Sequence, residues 1–276
     1  MSGTLFIVGT PIGNLGDMSP RAVDTLRTVD FIAAEDTRVS LKLLNRFEID
    51  TPMVSYHEHN RAVSGPRIVE RLAAGESCAL ITDAGMPAIS DPGEDLVRLC
   101  HESGIAVATV PGPSALITAL ALSGMDSRRF CNEGFLSANK SQRRAALDGL
   151  KDEGRTMIFY EAPHKLAQTL RDMTAAFGDL RQIALVKELT KLHEQVLRCT
   201  LAEAAERFAA EQPRGEYVLV VAGASEQAQQ SLTLEQAAEL ARTYIADGMT
   251  ASKAAARAAA DSGLPRGEIY RLLVNK

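Results

Sequence analysis

Leu80-Ile81-Thr82-Asp83-Ala84-Gly85-Met86-Pro87-Ala88-Ile89-Ser90-Asp91-Pro92-Gly93 is the stretch whose reading decides the fold. Residues 78–82 form an apolar run of strand length, and residues 94–103 carry Leu96, Val97, Leu99 and Cys100 at helical spacing. A buried strand therefore opens into a loop with two glycines and two prolines before a helix begins. In open α/β sheets ligands bind beyond the carboxyl ends of the strands, and small residues let the backbone approach a ligand closely. The same residues also read as two ordinary turns.

The pattern repeats on either side. Residues 5–8 are a strand, followed by a loop from Gly9 to Asp17 and a helix over 19–28, with Ser19 as cap and Pro20 in the first helical position. The glycines Gly9, Gly13 and Gly16 are spaced G-x-x-x-G-x-x-G, which departs from a dinucleotide fingerprint, and Pro11 removes a backbone donor that a pyrophosphate would need. Residues 29–34 predict a second strand ending in Glu35-Asp36-Thr37-Arg38, where Asp36 and Arg38 read as an ion pair or as substrate contacts. A short strand over 53–56 leads to His57 and His59, whose lack of companion ligands argues against a metal. A helix is expected over 67–74. A further strand over 105–110 ends at Pro111-Gly112-Pro113-Ser114, with Ser114 placed to cap a helix over 115–122. Three such units predict an α/β domain over residues 1–125 built on a mostly parallel sheet, with one edge of open loops.

Residues 128–150 turn polar and then helical and read as a linker into a second α/β domain, 126–223. There strands over 156–160, 183–188, 194–200 and 217–222 follow one another more directly and predict a mixed sheet. A Gln-rich boundary precedes three short helical patterns in 231–276. These predict a small helix-turn-helix-like module, equally readable as a docking bundle.

The 276 residues suit two domains and an appendage. Hydrophobic residues at 46% and charged residues at 24% are ordinary for a globular chain. The sequence shows no membrane span and no secretion signal, so a cytoplasmic protein is expected. Cys78, Cys100, Cys131 and Cys199 are scattered and read as reduced thiols. A net charge of -5 gives no global nucleic-acid footprint, but Lys140, Arg143 and Arg144, with Arg128-Arg129 nearby, form a local basic patch that would suit RNA.

Several blocks occur in one order: residues 8–15 (VGTPIGNL), 34–38 (AEDTR), 82–87 (TDAGMP), 91–93 (DPG), 111–114 (PGPS), 159–164 (FYEAPH), 187–191 (KELTK) and 214–216 (RGE). Together they resemble the ribosomal RNA small subunit methyltransferases of the tetrapyrrole methylase superfamily, over roughly residues 4–223. The resemblance implies S-adenosylmethionine held in a cleft between two α/β domains, a homodimer, and methylation of a cytidine ribose 2′-hydroxyl in small-subunit ribosomal RNA. Where the tetrapyrrole enzymes carry Gly-Gly-Asp-Pro, this chain has Asp83-Ala84-Gly85-Met86-Pro87, which argues against a corrin or porphyrin substrate and makes the contact at Gly85 a backbone one.

With that cofactor, Gly85, Met86, Pro87, Ala88 and Ile89 are expected along it, together with Pro11, Ser114, Ala115, Phe159 and Tyr160. A sulfonium cofactor needs no phosphate cradle, and its methyl group is already activated, so positioning is the protein's main task. A base would help a ribose hydroxyl to react. Asp36, Glu161 and Glu188 are the candidates, with Lys187 as an alternative that could lower the hydroxyl's pKa, and Arg38, Arg143 and Arg144 are the candidates for RNA phosphates. A methyltransferase acting on a tetrapyrrole-like small molecule and a ligand-sensing DNA-binding regulator are the competing readings.

Overall fold

The computed structural model describes residues 2–211, 213–224, 234–246, 248–262 and 264–274. They fall into two compact units, one of residues 1–151 and 155–222, the other of 152–154 and 223–276.

The first unit holds two five-stranded sheets. In the first, β1 (Thr4–Val8), β2 (Phe31–Ala34), β3 (Met53–Ser55), β4 (Cys78–Ile81) and β5 (Ala106–Val110) are all parallel, in the order β3-β2-β4-β1-β5. Four helices connect them: α1 (Pro20–Thr28), α2 (Thr37–Arg46), α3 (Arg61–Ala73) and α4 (Glu94–Glu102). The inner strands β2 and β4 are buried along their whole length because helices cover both faces of the sheet, whereas the edge strands β3 and β5 keep exposed residues. Leu5, Phe31 and Leu80 pack against Ile68, Leu72, Leu96 and Cys100, whereas Val8, Ile32 and Ile81 pack against Ala22, Leu26 and Leu44 on the other face. Ser19 caps α1 as expected, its hydroxyl accepting the Ala22 N–H at 3.1 Å. Helix α3 starts at Arg61, six residues before the expected position, with Gly65 and Pro66 inside it; those two residues masked its first turns in the sequence. Because the strands run in one direction, all their outgoing loops lie at one edge.

The second sheet is mixed. Its strands β6 (Phe130–Phe135), β7 (Thr156–Glu161), β8 (Gln182–Lys187), β9 (Gln195–Thr200) and β10 (Tyr217–Val221) are ordered β6-β7-β10-β8-β9, with only the β6–β7 pair parallel. Strand β6 occupies part of the stretch read as a linker and corrects that reading. Its alternation is broken by a bulge between Asn132 and Gly134, and an edge strand tolerates polar residues, so the periodic signal is weak. Helices α6 (Lys140–Gly149), α7 (Pro163–Phe177) and α8 (Leu201–Ala210) cover one face, where Phe159, Leu166, Leu185 and Phe208 share a core. On the opposite face lies α5 (Ala115–Ser123), the helix that leaves the first sheet. Its Leu116, Ala119 and Leu120 pack with Ile158, Val186, Val218 and Val220, which joins the two sheets into one body.

The second unit contains α9 (Leu234–Ala246), α10 (Ala251–Ser262) and α11 (Arg266–Val274), three helices as expected. They close on Ala237, Ala241, Ala254, Ala255 and Ala258, small side chains that allow close helix packing, with Ile269 among them. Residues 231–233, 247, 263 and 275–276 of the expected module lie outside the described residues. Among the described residues no helix is long and apolar enough to cross a membrane.

Candidate active site

The carboxyl edge of the parallel sheet faces a cavity of about 570 Å³, within the roughly 300–1,000 Å³ usual for small-molecule sites. One wall comes from the first sheet: Ile12 after β1, Ala84, Gly85, Met86, Ile89, Ser90 and Asp91 after β4, and Ser114 and Ala115 at the start of α5. The other comes from the second: Phe135, Tyr160, Glu161, Ala162, Pro163, His164, Val186, Leu189, Glu216, Tyr217 and Val218.

Backbone geometry shapes the first wall. Thr10 and Gly85 form an isolated antiparallel bridge, with N–H to carbonyl distances of 2.9 and 3.1 Å, and the Thr10 hydroxyl donates to the Thr82 carbonyl at 3.2 Å. Gly85 sits at φ +91°, which a residue with a Cβ adopts only under strain. Gly9 and Gly112 touch backbone to backbone, and a Cβ built on Gly9 would lie 2.7 Å from Gly112 Cα. The Gly112 N–H donates to Met86 Sδ at 3.3 Å. The loop continues with Ala88 at φ +68° and Ser90 at φ +63°, left-handed conformations uncommon outside glycine and often found at functional sites. It is tied to the second sheet where Asn132 Nδ2 donates to Ser90 Oγ at 3.1 Å.

Of the residues expected along the cofactor, Gly85, Met86, Ile89, Ser114, Ala115 and Tyr160 line the cavity. Pro11, Pro87 and Ala88 do not; they shape the loops, and Ile12 stands where Pro11 was expected. Phe159 lies in the core of the second sheet, 1% exposed, so its placement along the cofactor is corrected. The cause is the period of two along a strand: Phe159 and Tyr160 are neighbours on β7 and must face opposite sides, and only Tyr160 faces the cavity, in tilted contact with Phe135 at 5.2 Å. Ser114 sits at the N-cap of α5 but makes no capping bond, contrary to expectation; its hydroxyl is left at the cavity wall.

The four catalytic candidates separate. Asp36 caps α2, accepting from the Arg38 backbone N–H at 2.8 Å and from its guanidinium at 2.7 and 3.0 Å; those bonds hold its carboxyl far below the usual range, leaving it a poor base. Glu188 accepts from the Glu216 N–H and from Lys191 Nζ, both at 3.0 Å, and is held ionised by them. Lys187 follows Val186 on β8, so alternation turns it away from the face on which Val186 lines the cavity. Glu161 does line the cavity, yet it is buried, with one carboxylate oxygen accepting the Ala162 N–H and the other the Thr169 hydroxyl. None of these four presents a free carboxylate or amine to the cavity.

Asp91, quoted in the sequence but given no role there, lines the cavity half-buried. Burial, reinforced by the negative Glu35 and Asp83, pushes its carboxyl up to about 6. Glu35 and Asp83, at the ends of β2 and β4, are raised too, chiefly by their own burial.

The basic candidates also separate. Arg143 is 6% exposed: its Nε and Nη2 donate to Asp172 Oδ2 at 2.9 and 2.7 Å and its Nη1 to the Ser137 and Ala138 carbonyls, so the reading of Arg143 as a phosphate contact is corrected. Arg144 donates to Asp172 Oδ1 at 2.9 Å with its side chain half exposed. Arg38 stays accessible, its side chain 88% exposed beside Asp36. Among the described residues no three His, Cys, Asp or Glu side chains are grouped to hold a metal ion, and His57 and His59 meet edge to face with ring centroids 6.0 Å apart.

Comparison with known proteins gives this arrangement a context. Residues 4–205 match the family described as Tetrapyrrole (Corrin/Porphyrin) Methylases. The chain is 48% identical over 270 residues to the ribosomal RNA small subunit methyltransferase I of Synechocystis, covering 98% of this chain and 97% of that one. It is 45% identical over 275 residues to the protein of the same name from Bacillus subtilis, covering 97% and 93%. Among solved structures, uroporphyrin-III-C-methyltransferase from Thermus thermophilus superposes with a TM-score of 0.55 at 17% identity, covering 79% of this chain and 94% of that one, a likeness of fold.

Proposed function

Since the chain belongs to the tetrapyrrole methylase family and, within it, groups with the ribosomal RNA small subunit methyltransferases I, we propose that it transfers a methyl group from S-adenosylmethionine to the 2′-hydroxyl of a cytidine ribose in small-subunit (16S) ribosomal RNA. The observation that carries the reading is the cavity at the carboxyl edge of the parallel sheet, walled by loops of both sheets.

The residues present suit that cofactor. It carries no phosphate, and this site has no glycine-rich phosphate loop; it offers instead apolar walls (Ile12, Met86, Ile89, Val186, Leu189), the unstrained backbone approach at Gly85 that glycine allows, and the uncapped Ser114 hydroxyl. When bound, the cofactor supplies a methyl group already activated by a sulfonium cation. Gly85, Met86, Ile89, Ser114, Ala115 and Tyr160 would hold it, and the half-buried Asp91 provides negative charge to match the cation. The chain's contribution is then to align the incoming oxygen and exclude water, an effect that can supply several kcal/mol. Arg38 and Arg144, exposed outside the cavity, are the side chains for RNA phosphates. The reading places the protein in the cytoplasm, working as a homodimer.

The test is transfer of labelled methyl to small ribosomal subunits that lack the modification, followed by nucleoside mass spectrometry. Label in a 2′-O-methylcytidine is the expected result. Label in a tetrapyrrole instead, or duplex DNA binding without transfer, would replace the proposal with one of the two competing readings.

A further inference from the structure

We propose that Asp91 is the catalytic base that takes the proton from the attacking ribose hydroxyl, at the mouth where the substrate strand meets the cofactor cavity. The assignment rests on the reading of the protein as a ribose methyltransferase and names the group that reading leaves open.

The first argument is position. Beside the main cavity lies a second, polar cleft of about 330 Å³ flanked by Arg61 and Arg98, and Asp91 is the one residue that lines both. A nucleotide seated in the polar cleft and a cofactor held against Gly85 and Met86 would then share Asp91 as a neighbour.

The second argument is availability. The ionisable side chains of the cavity wall are Asp91, Glu161, His164, Glu216, Tyr160 and Tyr217. Glu161 has both carboxylate oxygens engaged, by Ala162 and Thr169, and Glu216 accepts from Lys191 Nζ at 2.9 Å. Asp91 accepts no hydrogen bond and joins no ion pair among the described residues, although it is half-buried. Its loop is held in place by Ser90 at φ +63°, bound to Asn132, and by Gly93. A carboxylate fixed in position and unengaged is the arrangement general base catalysis requires.

The third is its proton affinity. Around Asp91 stand Glu35 and Asp83 from the β2 and β4 ends, Tyr160 from β7, Glu161 and His164 from β7 and α7, and Arg61, Glu94, Asp95 and Arg98 around the second cleft. Burial and the two nearest carboxylates raise Asp91 to about 6, close to neutrality, where a base is both deprotonated and able to accept a proton. In the step, the hydroxyl oxygen forms its bond to the methyl carbon while the carbon–sulfur bond breaks with its electron pair going to sulfur. The hydroxyl proton passes to an Asp91 carboxylate oxygen, so the sulfonium's positive charge and the carboxylate's negative charge are lost together.

Asp91→Asn, Asp91→Glu and His164→Gln in the full-length protein test the assignment, with unmethylated small ribosomal subunits and S-adenosylmethionine. Asp91→Asn is expected to lower kcat about 100-fold or more, the lower end of what a positioned base contributes, with KM for the subunit little changed. It also removes the rise of kcat/KM with pH near 6; Asp91→Glu regains part of the rate, and His164→Gln keeps the rise. A readout independent of turnover is proton release on cofactor binding, measured calorimetrically at pH 6 in two buffers of different ionisation enthalpy. The sulfonium favours the ionised carboxyl, so the wild type releases protons with S-adenosylmethionine and fewer with S-adenosylhomocysteine, whereas Asp91→Asn shows little difference between the two ligands. An Asp91→Asn protein that matches the wild type in kcat or in proton release overturns the assignment and leaves the methyltransferase reading standing. Loss of the pH rise in His164→Gln alone would move the base to His164. A wild type that methylates no ribose defeats both.

Discussion

Replacing Asp172 by Asn should destabilise the packing of helices on the second sheet, and the loss can be worked from the bonds the residue makes. Asp172 is on α7, its side chain 1% exposed. Oδ2 accepts from Arg143 Nε at 2.9 Å, Arg143 Nη2 at 2.7 Å and Gln168 Nε2 at 3.1 Å, and Oδ1 accepts from Arg144 Nε at 2.9 Å. Asn keeps one acceptor and turns an NH2 donor against a guanidinium that is itself buried. Two charge-assisted bonds at about 1.5–3 kcal/mol each give roughly 3–6 kcal/mol. Breaking one partner out of a buried pair gives about 3–5 kcal/mol by a separate route. Arg144, half exposed, adds little, at most about 1 kcal/mol. A loss of about 3–5 kcal/mol out of a typical 5–15 kcal/mol follows.

Urea denaturation at pH 7 measures the loss, and pH checks its origin. Burial alone would raise the Asp172 carboxyl, but the bonds from Arg143, Arg144 and Gln168 together hold it below its ordinary value. A carboxyl lowered in the folded state stabilises above its unfolded pKa and ceases to do so as pH falls through the folded one. The gap between wild type and Asp172→Asn should therefore be flat from pH 8 to 5 and shrink only below about 4. A loss under about 1 kcal/mol, or a gap already closing at pH 6, would refute the reasoning. The same bonds make Arg143 a structural residue, whatever the local charge pattern suggests about RNA.

Gly85→Val should weaken S-adenosylmethionine binding at least tenfold in calorimetry, because φ +91° becomes strained by about 1–3 kcal/mol and the new side chain points toward Ile12 and Pro113; unchanged affinity would remove Gly85 from the site. Gly9→Ala forces Gly112 away, since the added Cβ would lie 2.7 Å from its Cα, and should lower the thermal midpoint and cofactor affinity together; a neutral result would show that the β1 and β5 loops can separate freely. Arg38→Ala should weaken binding to the small subunit and flatten its salt dependence by about one ion, while Arg143→Ala leaves that slope unchanged in protein that remains folded. An unaltered slope for Arg38→Ala would exclude it from the RNA surface.

Much of the architecture follows from local pattern alone. The runs at β1, β2, β4 and β5, each followed by a loop and a helix, carry their own period and their own start signals, as at Ser19-Pro20, so a parallel sheet with its loops on one edge was legible residue by residue. The loop after β4 was legible only as a backbone statement, a ligand loop or two ordinary turns; the cavity that Ala84, Gly85, Met86, Ile89, Ser90 and Asp91 line is what favours the first. Strand β6 was not, since its bulge at Asn132–Gly134 destroys the alternation that reveals a strand. The roles of ionisable residues were not legible either. Whether Arg143 meets a phosphate or Asp172, whether Glu161 is free or held by Thr169, and which of Phe159 and Tyr160 faces the cavity depend on partners 8 to 29 positions away and on which side of a sheet is covered. Sequence determines what a side chain can donate, accept or bury; only the packed chain decides whether that capacity is already used, and a carboxylate left unengaged among the described residues, as Asp91 is, becomes visible only once its neighbours' partners are in place.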